Sequence, residues 1–267
     1  LTGYSNGDID GAGALTSAGG VDVFLAKYNA SGTRQWVQQF GSGADDRSYG
    51  VAASGTNIYL TGATYGDLDG TGPGGGGYVD IFLAAYDGSG TQQWISQIGP
   101  VAINVGTQPA VDGSGNIYVT GYTQGDLDGA GAGTYAGGFD MFVVRFNSSG
   151  TVTRTTQVGT TGSEFGAGIA VDAAGNAYVA GYVWVDPGAG EYGDLRTTRI
   201  DANGTVAWTR SLGTPYTDGG YGLAIALHGT DVYVAGQTAG DLDGNTNASV
   251  GGDDAFIVKY DTSGNKQ

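Results

Sequence analysis

The sequence predicts an all-β protein, a β-propeller of four-stranded antiparallel blades of which about five copies are present. Three observations carry that expectation. A motif recurs at a spacing of 59, 60 and 55 residues, measured between Tyr59, Tyr118, Tyr178 and Tyr233. Each copy holds four short runs rich in Val, Ile, Tyr and Phe, and clusters of Gly, Asn, Asp and Ser separate the runs with no helical period. A long period with four strands suits a propeller blade, a twisted sheet that packs face to face on its neighbours around a central channel. Helical solenoids need helices and parallel β-helices a shorter period. A β-sandwich is the structural alternative, but its strands are not expected to recur as copies.

Taken in chain order within a copy, the first strand is the segment SYGVAAS, GAGIAVD or YGLAIAL. A tight turn such as SGTN, AAGN or HGTD leads to the tyrosine strand, read as NIYLTG, NIYVTG, NAYVAG and DVYVAG. The third strand is VFLAKYN from Val23, IFLAAYD from Ile81, MFVVRFN from Met141 and AFIVKYD from Ala255, with a degraded copy, LRTTRID, from Leu195. The turns NASG, DGSG, NSSG, DANG and DTSG follow, and TRQWVQQFG, TQQWISQIG, TVTRTTQVG and TVAWTRSLG form the fourth strand. Trp36, Trp94 and Trp208 share one slot there, which Arg154 takes in the third copy; a blade-docking role is expected for the three tryptophans. The copies divide as 1–44, 45–99, 100–159, 160–213 and 214–267, one propeller domain or a fragment of a larger one. If the YGVA-type strand is innermost, both termini are expected to be cut in mid-blade. The open edges would then seek a larger parent chain or other protein subunits.

Composition narrows the class. The 54 glycines lack a three-residue period, which excludes collagen, and 40% apolar residues argue against disorder. A net charge of −16 repels nucleic acid and anionic headgroups. Absence of cysteine excludes disulfides and thiolate metal sites. No run approaches the roughly 20 apolar residues of a membrane span, so membrane insertion is not expected, and any targeting signal would lie outside this chain.

The succession GNIYVTG, GDLDG, DIFLAAYDGSGTQQW and GIAVD resembles the SBBP repeat, the β-propeller repeat of many bacterial secreted and surface proteins. The likeness covers essentially the whole chain and departs mainly between Trp184 and Arg199. It implies a propeller fold and an extracellular or cell-surface setting, in a bacterium, and it implies no single chemistry.

The most suggestive chemistry lies between the second and third strands. There GDIDG, GDLDG, GDLDG and GDLDG place Asp8 and Asp10, Asp67 and Asp69, Asp126 and Asp128, and Asp241 and Asp243. A further aspartate precedes the third strand: Asp22, Asp80, Asp140, and Asp253 or Asp254. Three carboxylates with loop carbonyls suit a Ca²⁺ cage, although the bidentate Glu of an EF-hand loop is missing. The other reading is turn chemistry, in which each Asp accepts backbone N–H groups of its own loop. The fourth copy, WVDPGAGEYGD, keeps Asp194 but loses the Asp-x-Asp pair, which fits both readings.

Catalytic patterns are weak. His228, the one histidine, falls in a turn. Gly3 to Gly7 matches G-x-S-x-G, but Ser5 corresponds to Thr64, Thr123 and Thr238, and no helix follows. Carboxylates that recur from blade to blade are unlike the singular pair of a glycosidase. The sequons at Asn29, Asn147 and Asn203 sit in the recurrent turn, and a fourth is at Asn247. The reading is a non-enzymatic extracellular or cell-surface scaffold for protein assembly or adhesion, with calcium stiffening its loops. A lectin-like carbohydrate-binding module is the alternative, with Tyr65, Tyr78, Tyr122 and Tyr135 as its candidates; an enzyme ranks below both.

Overall fold

The computed structural model describes residues 1–9, 19–71, 78–129, 137–185, 192–214, 218, 223–242 and 253–267. Among them every regular element is a β-strand, and the strands form five antiparallel sheets in chain order. The first sheet holds β1 (Thr2–Ser5), β2 (Asp22–Tyr28) and β3 (Arg34–Phe40). The second holds β4 (Asp46–Ser54), β5 (Asn57–Thr64), β6 (Asp80–Tyr86) and β7 (Gln92–Ile98). The third holds β8 (Asn104–Val111), β9 (Ile117–Thr123), β10 (Asp140–Phe146) and β11 (Val152–Val158). The fourth holds β12 (Ser163–Val171), β13 (Ala177–Val185), β14 (Tyr192–Ile200) and β15 (Val206–Leu212). The fifth holds β16 (Ala224–His228), β17 (Asp231–Thr238) and β18 (Asp254–Asp261). Each sheet is a simple meander, and β4, β8, β12 and β16 approach one another in succession, which makes them the innermost strands.

The third strand of each copy reads as a nearly continuous apolar run because it is covered on both faces. Side chains of β6 alternate between two cores. Ile81, Leu83 and Ala85 pack with Ile117, Val119, Phe142, Val144 and Phe146 of the third sheet. Phe82, Ala84 and Tyr86 pack with Val23 and Leu25 of the first. One sheet further round, Met141 and Val143 of β10 meet Ile169, Ala177, Val179 and Ile200 of the fourth sheet. Tyr178, Leu195 and Trp208 then meet Val232, Val234, Val258 and Tyr260 of the fifth. Four successive interfaces of one design are the geometry of a propeller, and burying the large side chains contributes roughly 1.5–3 kcal/mol each. The degraded run LRTTRID still forms a strand. Its Thr197 and Thr198 are fully buried between neighbouring sheets, so packing overrides weak local pattern.

Docking of one sheet on the next has a repeated device. The recurrent turn places Gly32, Gly90, Gly150, Gly204 and Gly264 at φ between 78° and 88°, a left-handed conformation that favours glycine. In each turn an Asp or Asn caps the loop, as Asp87 Oδ1 accepts the N–H groups of Ser89 and Thr91 at 2.9 and 3.0 Å. The tryptophan of the preceding sheet lies flat over that glycine, and its indole N–H donates to the same turn. Trp36 donates to Gly88 O at 3.2 Å, Trp94 to Ser148 O at 3.1 Å and Trp208 to Thr262 O at 3.0 Å. Arg154 in the same slot covers Gly204 and donates to Asn203 O.

Candidate functional site

All the acidic loops leave the second strand of their sheets at one rim, where the first strand also begins. Two polar positions organise that rim. Asp46, Asn104, Glu164 and Asp218 open the first strand, or lie just before it, and are at most 1% exposed. Three of them accept a backbone N–H four residues earlier: Asp46 from Ser42 at 2.5 Å, Glu164 from Thr160 at 2.9 Å and Asp218 from Thr214 at 2.5 Å. In the third sheet the equivalent residue is Pro100, which has no N–H. There the acid is replaced by Asn104, whose Nδ2 donates to Pro100 O at 3.0 Å. The acceptor becomes a donor where the backbone demands it.

The second position is the aspartate that opens the third strand. Asp22 and Asp140 are fully buried and Asp80 is 8% exposed. Their carboxylates occupy the space above the glycine that ends the fourth strand. A Cβ on Gly41, Gly99, Gly159 or Gly213 would lie 2.2, 2.4, 2.1 or 2.0 Å from the Oδ1 of Asp22, Asp80, Asp140 or Asp194. Burial pushes the Asp80 carboxyl up, against the hydrogen bond from Gln97, and the neighbouring Asp69 charge adds to the rise.

A glutamine on the fourth strand ties this aspartate to the acidic loop. Gln97 Nε2 donates to Asp80 Oδ2 and to Gly66 O, both at 2.9 Å, while its Oε1 accepts the Leu68 N–H at 2.9 Å. Its backbone N–H donates to Asp69 Oδ2 at 3.0 Å. Gln157 repeats the clamp on Asp140, Gly125 and Leu127 at 2.8, 3.0 and 2.9 Å. Gln39 does so more loosely, at 3.5 Å to Asp22 and 3.3 Å from Ile9. No motif in the sequence marks this glutamine as a site residue. Its signal is in the repeats: the three copies with a complete fourth strand and the acidic pair have Gln there, and the copy lacking the pair has Ser211.

Within the loop, Asp67 Oδ1 accepts the Gly70 N–H at 2.8 Å, and Asp69 Oδ1 accepts the Thr71 N–H and hydroxyl at 3.0 and 2.6 Å. Although burial pushes the Asp69 carboxyl up, the Thr71 and Gln97 hydrogen bonds hold it below its ordinary value. Asp126 Oδ1 accepts the Gly129 N–H at 2.9 Å, matching Asp67. Asp8, Asp128 and Asp241 lie in the corresponding loops, Asp253 is exposed just before β18, and Asp10 and Asp243 lie outside the described residues. Among the described residues no three acidic side chains are grouped as metal ligands.

Ser5 of the G-x-S-x-G segment makes the same small turn as its threonine equivalents. Its Oγ accepts the Gly7 N–H at 3.2 Å, as Thr64, Thr123 and Thr238 accept those of Gly66, Gly125 and Gly240 at 3.0 Å. His228 pairs with Asp231 across the β16–β17 hairpin. Asn29 and Asn147 of the sequons cap their own turns, accepting N–H groups two and four residues on, and Asn247 lies outside the described residues.

Fold and rim together define a β-propeller repeat protein. The SBBP β-propeller repeat model matches the chain at two places, residues 93–128 and 154–188. Regulatory protein FlaEY of Caulobacter vibrioides is 26% identical over 271 aligned positions, which cover 88% of this chain and 28% of that protein. The chain thus spans under a third of the relative's length. Among solved structures, Trypanosoma rangeli sialidase in complex with sialic acid is similar at 9% identity and a TM-score of 0.44, over 90% of this chain and 39% of the other. The D477G ACO/RPE65 chimera is similar at 13% identity and a TM-score of 0.44, over 95% of this chain and 56% of the other.

Proposed function

We propose that this propeller is a non-catalytic scaffold, displayed outside a bacterial cell, that holds a protein partner on its acidic loop rim. The observation that supports it most is the fate of the repeated polar groups. Among the described residues, Asp67, Asp69 and Asp126 of the loops, the buried Asp22, Asp80 and Asp140, the glutamine clamps and the Ser5-type hydroxyls bond the blade's own backbone or one another. Groups used in this way shape a rigid rim and leave its outward charge for recognition. A regulatory relative agrees with a binding role. The net charge of −16 makes a basic partner the complementary one.

The test places a photo-crosslinking amino acid at Asp67, on the loop rim, or at Ser114, on the opposite rim, of the full-length protein in its own cells. Adducts are expected from position 67 and not from 114, on protein that protease added to intact cells can reach. Protection from the protease, or equal adducts from both rims, would refute the scaffold reading.

For the loops, turn chemistry has the better support, because the Gln97 amide donates to Asp80 where a cation would need to sit between Asp69 and Asp80. An ion site saturated at a hundred times its Kd would add about 2.7 kcal/mol, or roughly 5–10 °C in Tm for a chain of this size. The expected Tm change between excess calcium and chelator is under about 1 °C. A rise of several degrees that chelator reverses would assign the loops to calcium.

A further inference from the structure

We propose that the axial end of the loop rim is a binding site for a neutral saccharide, built by aromatic side chains that converge from non-equivalent positions of the first four sheets. This site stands independently of the scaffold reading. Tyr4 of β1, Tyr49 of β4, Tyr122 of β9, and Tyr182 and Trp184 of β13 lie in the halves of their strands nearer that rim, and Tyr65 directly follows β5. Phe165 of β12 is the hub on one side. Its ring is stacked on Tyr182 at 4.8 Å and meets Tyr122 edge-on at 5.0 Å and Trp184 at 6.3 Å. On the other side Tyr4 and Tyr49 meet at 6.4 Å, with the Arg47 guanidinium 5.7 Å over the Tyr4 ring. The second and third sheets, which carry Tyr49 and Tyr122 on the two sides, pack on each other through β4, β5 and β8. Burial, with the Tyr49, Tyr182 and Tyr65 phenols adding to it, pushes the Tyr122 hydroxyl up to about 12, so it remains a neutral O–H in the physiological range.

Four of these aromatics are exposed to solvent. Tyr4 is 51% exposed, Tyr49 46%, Tyr65 45% and Trp184 43%. Beside Tyr65 a groove of about 560 Å³ opens between the second and third sheets, with Tyr78, Gln124 and the aliphatic Val79, Val101, Ala102 and Ile103 on its walls. That volume lies in the range of roughly 300–1,000 Å³ of small-ligand sites. Flat ring faces edged by hydroxyls and an amide match a pyranose, which presents an apolar C–H face and a rim of hydroxyls. Charge selects among saccharides. Arg47, a cation at the basin, is already paired with Asp45 at 2.9 Å, and Asp67 and Asp69 flank the rim, so an anionic sugar is disfavoured.

The experiment titrates the chain with maltohexaose, cellohexaose, mannohexaose and chitohexaose, following tryptophan fluorescence and heat. Oligogalacturonate and decaproline serve as the anionic and peptide comparisons. Saturable binding of at least one neutral hexasaccharide is expected, weakened tenfold or more by Tyr65→Ala or Trp184→Ala. Tyr65→Phe, which keeps the ring, should retain most of the affinity, and all three variants should melt within a few degrees of the parent. Absence of saturable binding by every neutral hexasaccharide at millimolar concentration, binding that neither alanine variant weakens, or binding confined to oligogalacturonate or decaproline would overturn the assignment.

Discussion

Replacing Gln97 by alanine is expected to cost the protein about 3–5 kcal/mol, because one side chain satisfies three partners that are otherwise buried or half-buried. Gly66 O and Asp80 Oδ2 lose their donor, and the Leu68 N–H loses its acceptor. The loss should carry a pH signature. The folded-state pKa of Asp80 is already raised above 3.8 by burial, and removing the Gln97 donor raises it further. A carboxyl with a raised folded-state value binds its proton more tightly folded than unfolded, so stability is gained as pH falls through that value towards 3.8 and lost as pH rises. The deficit of Gln97→Ala against the parent is therefore largest at neutral pH and shrinks on acidification. Denaturant unfolding at several pH values measures it. A deficit below about 1 kcal/mol, or one that grows in acid, would show that Gln97 is not the tie between strand and loop.

How much of this was readable beforehand depends on whether a feature repeats. The strands were legible because each interface buries alternate residues of runs such as Ile81 to Tyr86 on both faces, which leaves an apolar signature in every copy. Even the polar run from Leu195 could be placed by its register with the others. The acidic loops were visible as a motif, but their partner was not. Gln97 is distant in sequence from Asp80 and Asp69, and only its replacement by Ser211 in the copy lacking Asp-x-Asp hints at the connection. The exchange of an acid for Asn104 opposite Pro100 is similarly meaningless until the two are known to touch. The aromatic basin was least accessible. Tyr49, Tyr65, Tyr122 and Trp184 occupy different slots of different copies, so no period marks them. Two of the tyrosines considered from sequence, Tyr65 and Tyr122, are at the basin, Tyr78 lines the adjoining groove, and Tyr135 lies outside the described residues.

The tryptophan slot should show its role through coupling more than through loss alone. Trp94 covers Gly150 of the next sheet, where a Cβ would meet the ring at 2.6 Å, and it packs at 6.2 Å from the Tyr59 ring. Because the indole is only half-buried, Trp94→Ala is expected to cost about 2–4 kcal/mol, somewhat below a fully buried tryptophan. Gly150→Ala is expected to cost about as much, for two reasons: φ is 82° there, and the new methyl strikes the indole. Once the indole is gone only the backbone strain remains, about 1–2 kcal/mol. The double variant should therefore be more stable than the sum of the two losses predicts, by about 1 kcal/mol or more. Trp94→Arg supplies the control that the third copy already contains. The Arg154 stem covers Gly204 and its guanidinium donates to Asn203 O, so an arginine at position 94 should recover part of what alanine loses. If the two losses simply add, or arginine is no better than alanine, the tryptophans are ordinary core residues of their own sheets. If they couple as expected, one contact repeated from copy to copy is what holds successive blades in register around the axis, and with it the rim on which the proposed recognition depends.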